Sequence, residues 1–114
     1  LDLVSLKHSI TVNGVTDLIM MKGDVLSGID KIKVCTKYNY NGKSVNYMPF
    51  SILDENIDPI YEEIDGWEED ITQAKSYNDL PLNFKSYVEF LEDKLNLKIK
   101  IVSVGPDRKQ TIFV

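Results

Sequence analysis

The stretch DLPLNFKSYVEFLEDKLNLKIKIVSVGP, Asp79 to Pro106, changes period partway along. Phe84, Tyr87, Val88, Leu91 and Leu95 recur every three or four residues, which predicts one apolar stripe on a helix. Asp79-Leu80-Pro81 opens it. Asp79 is expected to accept bonds from free N–H groups at the helix start, and proline is tolerated in the first turn. Beyond Asn96 the spacing shortens. Lys98 to Val104 predicts a strand, with Ile99, Ile101, Val102 and Val104 largely apolar. Gly105-Pro106-Asp107 then predicts a turn. A helix feeding an apolar strand is the unit from which α/β folds are built.

The rest of the chain fits that frame. Leu1 to Asn13 predicts a helix with Leu3, Leu6 and Ile10 on one face, stopped at Asn13-Gly14. Asp17 to Met21 predicts a short buried strand. Lys31 to Tyr38 alternates, with Ile32, Val34, Thr36 and Tyr38 on one side. Asn41-Gly42 both tolerate positive φ and predict a hairpin that returns Lys43 to Met48. Pro49 to Asp58 is expected as loop, Ile60 to Ile64 as strand, and Asp65-Gly66 as turn. Asp70 to Ser76 is expected as a helical turn and Gln110 to Val114 as a last strand. The order is αββββαββ. It predicts an α/β domain with a mixed sheet, flanking helices and a β-hairpin.

Composition bounds the function. The chain has 114 residues, enough for one domain. No apolar run approaches the ~20 residues that span a bilayer, and no signal peptide is expected. A cytoplasmic setting with no membrane partner is the expectation. The single cysteine, Cys35, has no internal disulfide partner and no CxxC companion. The single histidine, His8, lies far away in sequence, so neither a Cys–His metal site nor a Cys–His nucleophile is expected. The net charge is −5, and Asp54 to Asp70 holds nine acids and no base. That excess argues against a nucleic-acid surface there. The run lacks the spacing of a calcium loop. No phosphate loop, dinucleotide fingerprint or nucleophile elbow is present. Glu62 and Glu63 are adjacent on a predicted strand, so they point apart and cannot act as a carboxylate pair.

Two segments can carry recognition chemistry. The first is LIMMKGDVLSG, Leu18 to Gly28, where an apolar strand stops at Lys22-Gly23-Asp24. A carboxylate can accept two hydrogen bonds from the N1–H and N2–H2 donors of guanine. A lysine two residues before it can lay its stem along the base. Ligands in open α/β sheets lie beyond the carboxyl ends of strands. The other reading is a surface turn, with Asp24 capping a short helix over Val25 to Ser27. The second segment is Ser103-Val104-Gly105, also at a strand end, where small residues let backbone approach a flat ligand. Its other reading is a tight turn with Arg108 paired to Asp107. Trp67, the only tryptophan, is expected to anchor a loop to the core.

Taken in order, these segments form a longer pattern. Gly66 to Ile112, GWEEDITQAKSYNDLPLNFKSYVEFLEDKLNLKIKIVSVGPDRKQTI, resembles the C-terminal part of adenylosuccinate synthetase. That family has Gly-Trp, an acidic residue with Ile-Thr, Leu-Pro, and Gly-Pro-Asp-Arg before Thr-Ile. KGDVLSGIDKIKVCTKYNYNGK, Lys22 to Lys43, is similar to the family's Lys-x-Asp-Val-Leu segment and the strand after it. Pro59-Ile60-Tyr61-Glu62 matches as well. The resemblance covers residues 1–114 as one C-terminal portion. In the family an arginine-rich segment precedes a Gly-Trp-Leu-Asp run. The opening Leu1-Asp2 is therefore expected to lie just after such a segment.

The resemblance implies a homodimeric parent that joins IMP to L-aspartate using GTP and Mg²⁺. It places the phosphate loop, the catalytic residues and the metal ligands outside this chain, so no catalytic or metal residue is expected here. It implies guanine contacts from Lys22, Gly23 and Asp24 and from Ser103, Val104 and Gly105. Gly23 departs from the family's usual Leu, and Met21 stands where Thr is common. The alternative is a stand-alone, non-catalytic nucleotide-binding or interaction module with the same fold.

Overall fold

A computed structural model describes residues 1–47, 49 and 57–114. In chain order the elements are α1 (Leu3–Asn13), β1 (Asp17–Met20), β2 (Lys31–Tyr40), β3 (Lys43–Val45), β4 (Ile57–Asp65), α2 (Leu82–Leu95), β5 (Lys98–Ser103) and β6 (Thr111–Phe113). Three short 3₁₀ turns lie between them, at Gly23–Leu26, Tyr77–Asp79 and Arg108–Gln110. The order αββββαββ is the expected one. The chain divides into two compact units, Leu1–Val15 with Lys33–Ile64, and Thr16–Ile32 with Asp65–Val114.

In the first unit α1 starts at Leu3 rather than Leu1. The physical reason is a cap, since the Asp2 side chain accepts the Ser5 N–H at 3.0 Å. Gly14 ends the helix in the left-handed region at φ 63°, with its N–H on the Ile10 carbonyl. The apolar face differs from Leu3, Leu6 and Ile10: Leu3 and Val4 are the buried residues. Val4 packs with Cys35 and Tyr38, with Val45 and Ile57 against them.

The strands of this unit form a sheet in the order β3-β2-β4. Ile32, Val34 and Tyr38 are buried along β2 as alternation predicts, but Thr36 is only half-buried and Cys35, on the opposite face with Lys31, Lys33 and Lys37, is buried against Val4. Asn41 and Gly42 take φ of 52° and 82°, and Tyr40 pairs with Lys43, so the hairpin forms as expected. β3 ends at Val45, and Met48 and the expected loop residues 50–56 lie outside the described residues. β4 runs from Ile57 and includes Pro59. Proline cannot donate to a ladder, and among the described residues β4 lies at the sheet's edge.

In the second unit β5 is central, parallel to β1 and antiparallel to β6. This is the expected mixed sheet. Phe84, Tyr87, Val88, Leu91 and Leu95 are all buried on α2. Two expectations change here. Asp79 does not cap α2. Its carboxylate accepts the Lys75 and Ser76 backbone N–H groups and so closes the 3₁₀ turn just before the helix. Those bonds, that to Lys75 first, hold the Asp79 carboxyl below the usual carboxylate range. Pro81 occupies the cap position of α2 instead. The stretch from Asp70 to Ser76 forms turns rather than a helix, because the Asp70 carboxylate accepts both the Thr72 N–H and its hydroxyl.

β1 is also not a buried strand. Ile19 is 59% and Met21 66% exposed. Among the described residues β1 pairs on one side only, so it is an edge strand with one covered face.

Trp67 holds the connection after β1. Its Nε1 donates to Ser27 Oγ at 3.0 Å, and its carbonyl accepts the Gly28 N–H at 2.8 Å. Its ring meets Phe84 edge-on at 4.7 Å between centroids. It is the loop anchor that the sequence predicts. Trp67→Phe removes the Ser27 bond and some packing and should cost about 1–2 kcal/mol. The urea midpoint followed by circular dichroism checks this. In the native protein Trp67 emission should be blue-shifted, moving red as the second unit unfolds.

Candidate functional site

The parallel pairing of β1 and β5 puts the carboxyl ends of both strands at the same edge of the sheet. Lys22-Gly23-Asp24 follows one strand and Ser103-Val104-Gly105 ends the other. The two segments touch. A Cβ built on Gly23 would lie 3.2 Å from the Ser103 carbonyl oxygen and 3.1 Å from the Phe84 ring. Gly23 is therefore a tight seat where the Lys22–Asp24 turn rests on both β5 and α2. The residue that departs from the family pattern is the one at which the two candidate segments meet.

Lys22 is exposed and adopts the left-handed conformation, with φ 57° and ψ 41°. For a residue with a Cβ this stores about 1–3 kcal/mol of strain, and such strain concentrates at binding sites. The Lys22 carbonyl accepts the Val25 N–H at 3.3 Å. Lys22, not Asp24, holds the N-cap position of the 3₁₀ turn Gly23–Leu26. Asp24 lies inside that turn, half-buried, with its carbonyl accepting the Ser27 N–H. The capping role is therefore not the one Asp24 occupies.

The second segment is well fixed. Ser103 is buried, and its hydroxyl donates to the Gly105 carbonyl at 3.0 Å. Val104 is fully buried, and its N–H donates to the Gln110 carbonyl at 2.7 Å. Gly105 is buried for a reason the sequence did not show. The Gln110 side chain occupies the space where a Gly105 Cβ would stand, 2.3 Å from that position. Gln110 Oε1 accepts the Asp107 N–H at 3.0 Å, and its Nε2 donates to the Thr72 carbonyl at 3.1 Å. Asp107 caps the following 3₁₀ turn by accepting the Lys109 N–H at 3.1 Å. Phe84 and Gln110 are the residues here that sequence reasoning missed. Phe84 was visible only as one member of a helical stripe, and Gln110 only as the start of a strand.

The side chains set aside on the sequence offer no competing centre. Cys35 is buried, and its Sγ donates to the Lys37 carbonyl. Burial, and then the Asp2 charge, push its thiol pKa up and keep it protonated. His8 is exposed on α1. Among the described residues no three His, Cys, Asp or Glu side chains converge as metal ligands. No helix among them is long and apolar enough to cross a membrane.

Chemically, the strand-end edge offers a carboxylate, an ammonium on a flexible stem and a fixed backbone turn within one small region. That set suits a flat heterocycle with paired N–H donors on one edge and an acceptor on another.

Comparison with known proteins gives consistent results. Residues 1–112 match the family model described as adenylosuccinate synthetase. The adenylosuccinate synthetase of Christiangramia forsetii is 59% identical over 112 residues, which is 98% of this chain and 26% of that protein. That of Flavobacterium johnsoniae is 55% identical with the same coverage. That of Malacoplasma penetrans is 50% identical over 114 residues, 27% of its length. The fully ligated adenylosuccinate synthetase from Plasmodium falciparum superposes on 100% of this chain with a TM-score of 0.92 at 30% identity. The match covers 28% of that chain. This chain thus spans about a quarter of the length of the relatives it matches.

Proposed function

The chain belongs to the adenylosuccinate synthetase family, and from that premise we propose that it is the C-terminal portion of such an enzyme, carrying the guanine-reading half of a GTP site. The observation that supports this reading is the contact at Gly23, where the Lys22–Asp24 turn meets the Ser103 carbonyl at the carboxyl ends of two parallel strands.

The full-length enzyme is a homodimeric cytoplasmic ligase of purine biosynthesis. It transfers the γ-phosphoryl group of GTP to the 6-oxygen of IMP. The amine of L-aspartate then attacks C6 and displaces phosphate, so the products are adenylosuccinate, GDP and phosphate. GTP supplies the phosphoryl group; Mg²⁺, held by residues outside this chain, would neutralise charge on its phosphates. Asp24 accepts the N1–H and N2–H donors of guanine in a bidentate pair. Lys22 lays its methylene stem along the base and aims its charge toward the ribose or phosphates. Ser103, Val104 and Gly105 present backbone to the base from the other side.

Isothermal titration of the 114-residue chain with GTP and Mg²⁺ tests the division of labour. Base contacts alone should give roughly millimolar affinity or weaker. The chain should show no synthetase turnover with IMP and aspartate. Tight, Mg²⁺-dependent GTP binding by this chain alone would contradict the assignment of the phosphate and metal contacts to the rest of the enzyme.

A further inference from the structure

We propose that Gln110 is a positioning residue for guanine recognition, holding the Ser103–Gly105 backbone in the shape that meets the base. This deepens the guanine reading and rests on it.

Gln110 is engaged at four points, three of them on this turn and the fourth on the loop after Trp67. Its backbone carbonyl accepts the Val104 N–H at 2.7 Å, and its backbone N–H donates to the Asp107 carbonyl at 2.9 Å. Its side-chain oxygen accepts the Asp107 N–H, and its side-chain nitrogen donates to the Thr72 carbonyl. The amide therefore bridges the Gly105–Pro106–Asp107 turn to the loop after Trp67. It also lies over the face of Gly105, in the volume a Cβ would need. A half-buried amide with both its oxygen and its nitrogen satisfied by backbone fixes that backbone more firmly than packing alone. A side chain on Gly105 would have to displace the Gln110 amide.

This accounts for a division within the site. Ser103 uses its hydroxyl inside the turn, on the Gly105 carbonyl. The side chains of this segment are thus committed to holding shape, and the base is read by main chain. Main-chain recognition depends on placement, and a misplacement of about 1 Å can cost on the order of 100-fold, so the group that sets placement sets affinity. Gln110 does so without touching the nucleotide.

The test uses steady-state kinetics of the full-length enzyme. Gln110→Ala should raise KM for GTP about tenfold, leave kcat within about twofold, and leave KM for IMP and aspartate unchanged. Gln110→Met keeps the volume and removes both side-chain hydrogen bonds. It should behave like the alanine variant and guards against loss of folding from a cavity. Gly105→Ala should also raise KM for GTP, because its methyl displaces the Gln110 side chain. In Gln110→Ala the added methyl has room, so the double variant should be no worse than Gln110→Ala alone. A purely structural role would lower kcat per mole of enzyme and leave KM for GTP in place, which would overturn the proposal. Additive effects of the two substitutions would overturn it too, because Gly105 would then be small for the ligand rather than for Gln110. Asp24→Asn serves as the control. If it shifts nucleotide preference while the Gln110 variants leave KM for GTP unmoved, the positioning role fails and the guanine reading stands. If Asp24→Asn leaves preference unchanged, the guanine reading and the proposal fall together.

Discussion

Asp24→Asn in the full-length enzyme should weaken GTP about 10- to 100-fold and improve xanthosine triphosphate at the same time. In the proposed site the carboxylate accepts from two donors of guanine, and hydrogen bonds to a charged acceptor contribute about 1.5–3 kcal/mol each. Asparagine keeps one acceptor and replaces the other by an N–H2 donor. That donor faces the N2 amine of guanine, so two donors oppose each other. Xanthine carries a 2-oxo group at the same position and accepts from the new donor. The two effects run in opposite directions, so their ratio is a sharper readout than either KM. Competition between the two triphosphates under fixed IMP and aspartate measures it. An unchanged ratio would remove Asp24 from the base-reading role. Asp24 lies within a 3₁₀ turn and not at its cap, so the substitution leaves the local fold with little reason to change.

The second large effect concerns stability. Gly66 follows β4 and packs on the backbone just before β2. A Cβ there would lie 1.7 Å from the Ile29 carbonyl oxygen and 2.9 Å from its carbon. Both atoms are main chain, so no side-chain rotation relieves the clash. Gly66 also donates its N–H to the Asp30 carbonyl at 2.8 Å and accepts from Asn83 Nδ2 at 2.8 Å. Moving the strand apart to admit a methyl group stretches those bonds. Gly66→Ala should therefore cost about 3 kcal/mol or more, at the upper end for overpacking. Urea unfolding of the wild type and the variant measures the difference in midpoint. A loss under about 1 kcal/mol would mean that the backbone yields far more easily than this contact implies.

Much of the fold was legible because it is written in local patterns. The stripe from Phe84 to Leu95 repeats at helical spacing, and every member is buried. Asn41-Gly42 permits positive φ at both positions, and the chain turns there. The misreadings are of another kind. Asp79 is a good capping residue, but two turns within reach could use it. The nearer N–H groups of Lys75 and Ser76 took it, and Pro81 was left at the cap of α2. The apolar run Leu18 to Met21 looked buried, yet burial depends on neighbours that sequence does not name.

The candidate site divides in the same way. Lys22, Asp24 and Ser103 were legible from residue type and from their place at strand ends. Gln110 was not, because its role comes from meeting Thr72, Asp107 and Gly105 in space. Gly23 looked like a loosened spacer and is in fact a close contact. A side chain there would press on the Phe84 ring and the Ser103 carbonyl, neither of which adjoins it in the chain.

The register of β1 against β5 also bears on how the protein is made. Asp17 is aligned with Lys98, and Met20 with Val102, so the pairing joins segments about eighty residues apart. Parallel contacts at such separation close slowly, because the entropy of the intervening chain is lost before the contact forms. On a ribosome Lys22 and Asp24 emerge before Ser103 and must wait for it. Throughout that interval β1, with Ile19 exposed, is a nascent strand with an unpaired edge, the kind of segment that chaperones shield. The end of the sheet that carries Lys22 and Asp24 is then completed only once β5 has arrived to pair with β1.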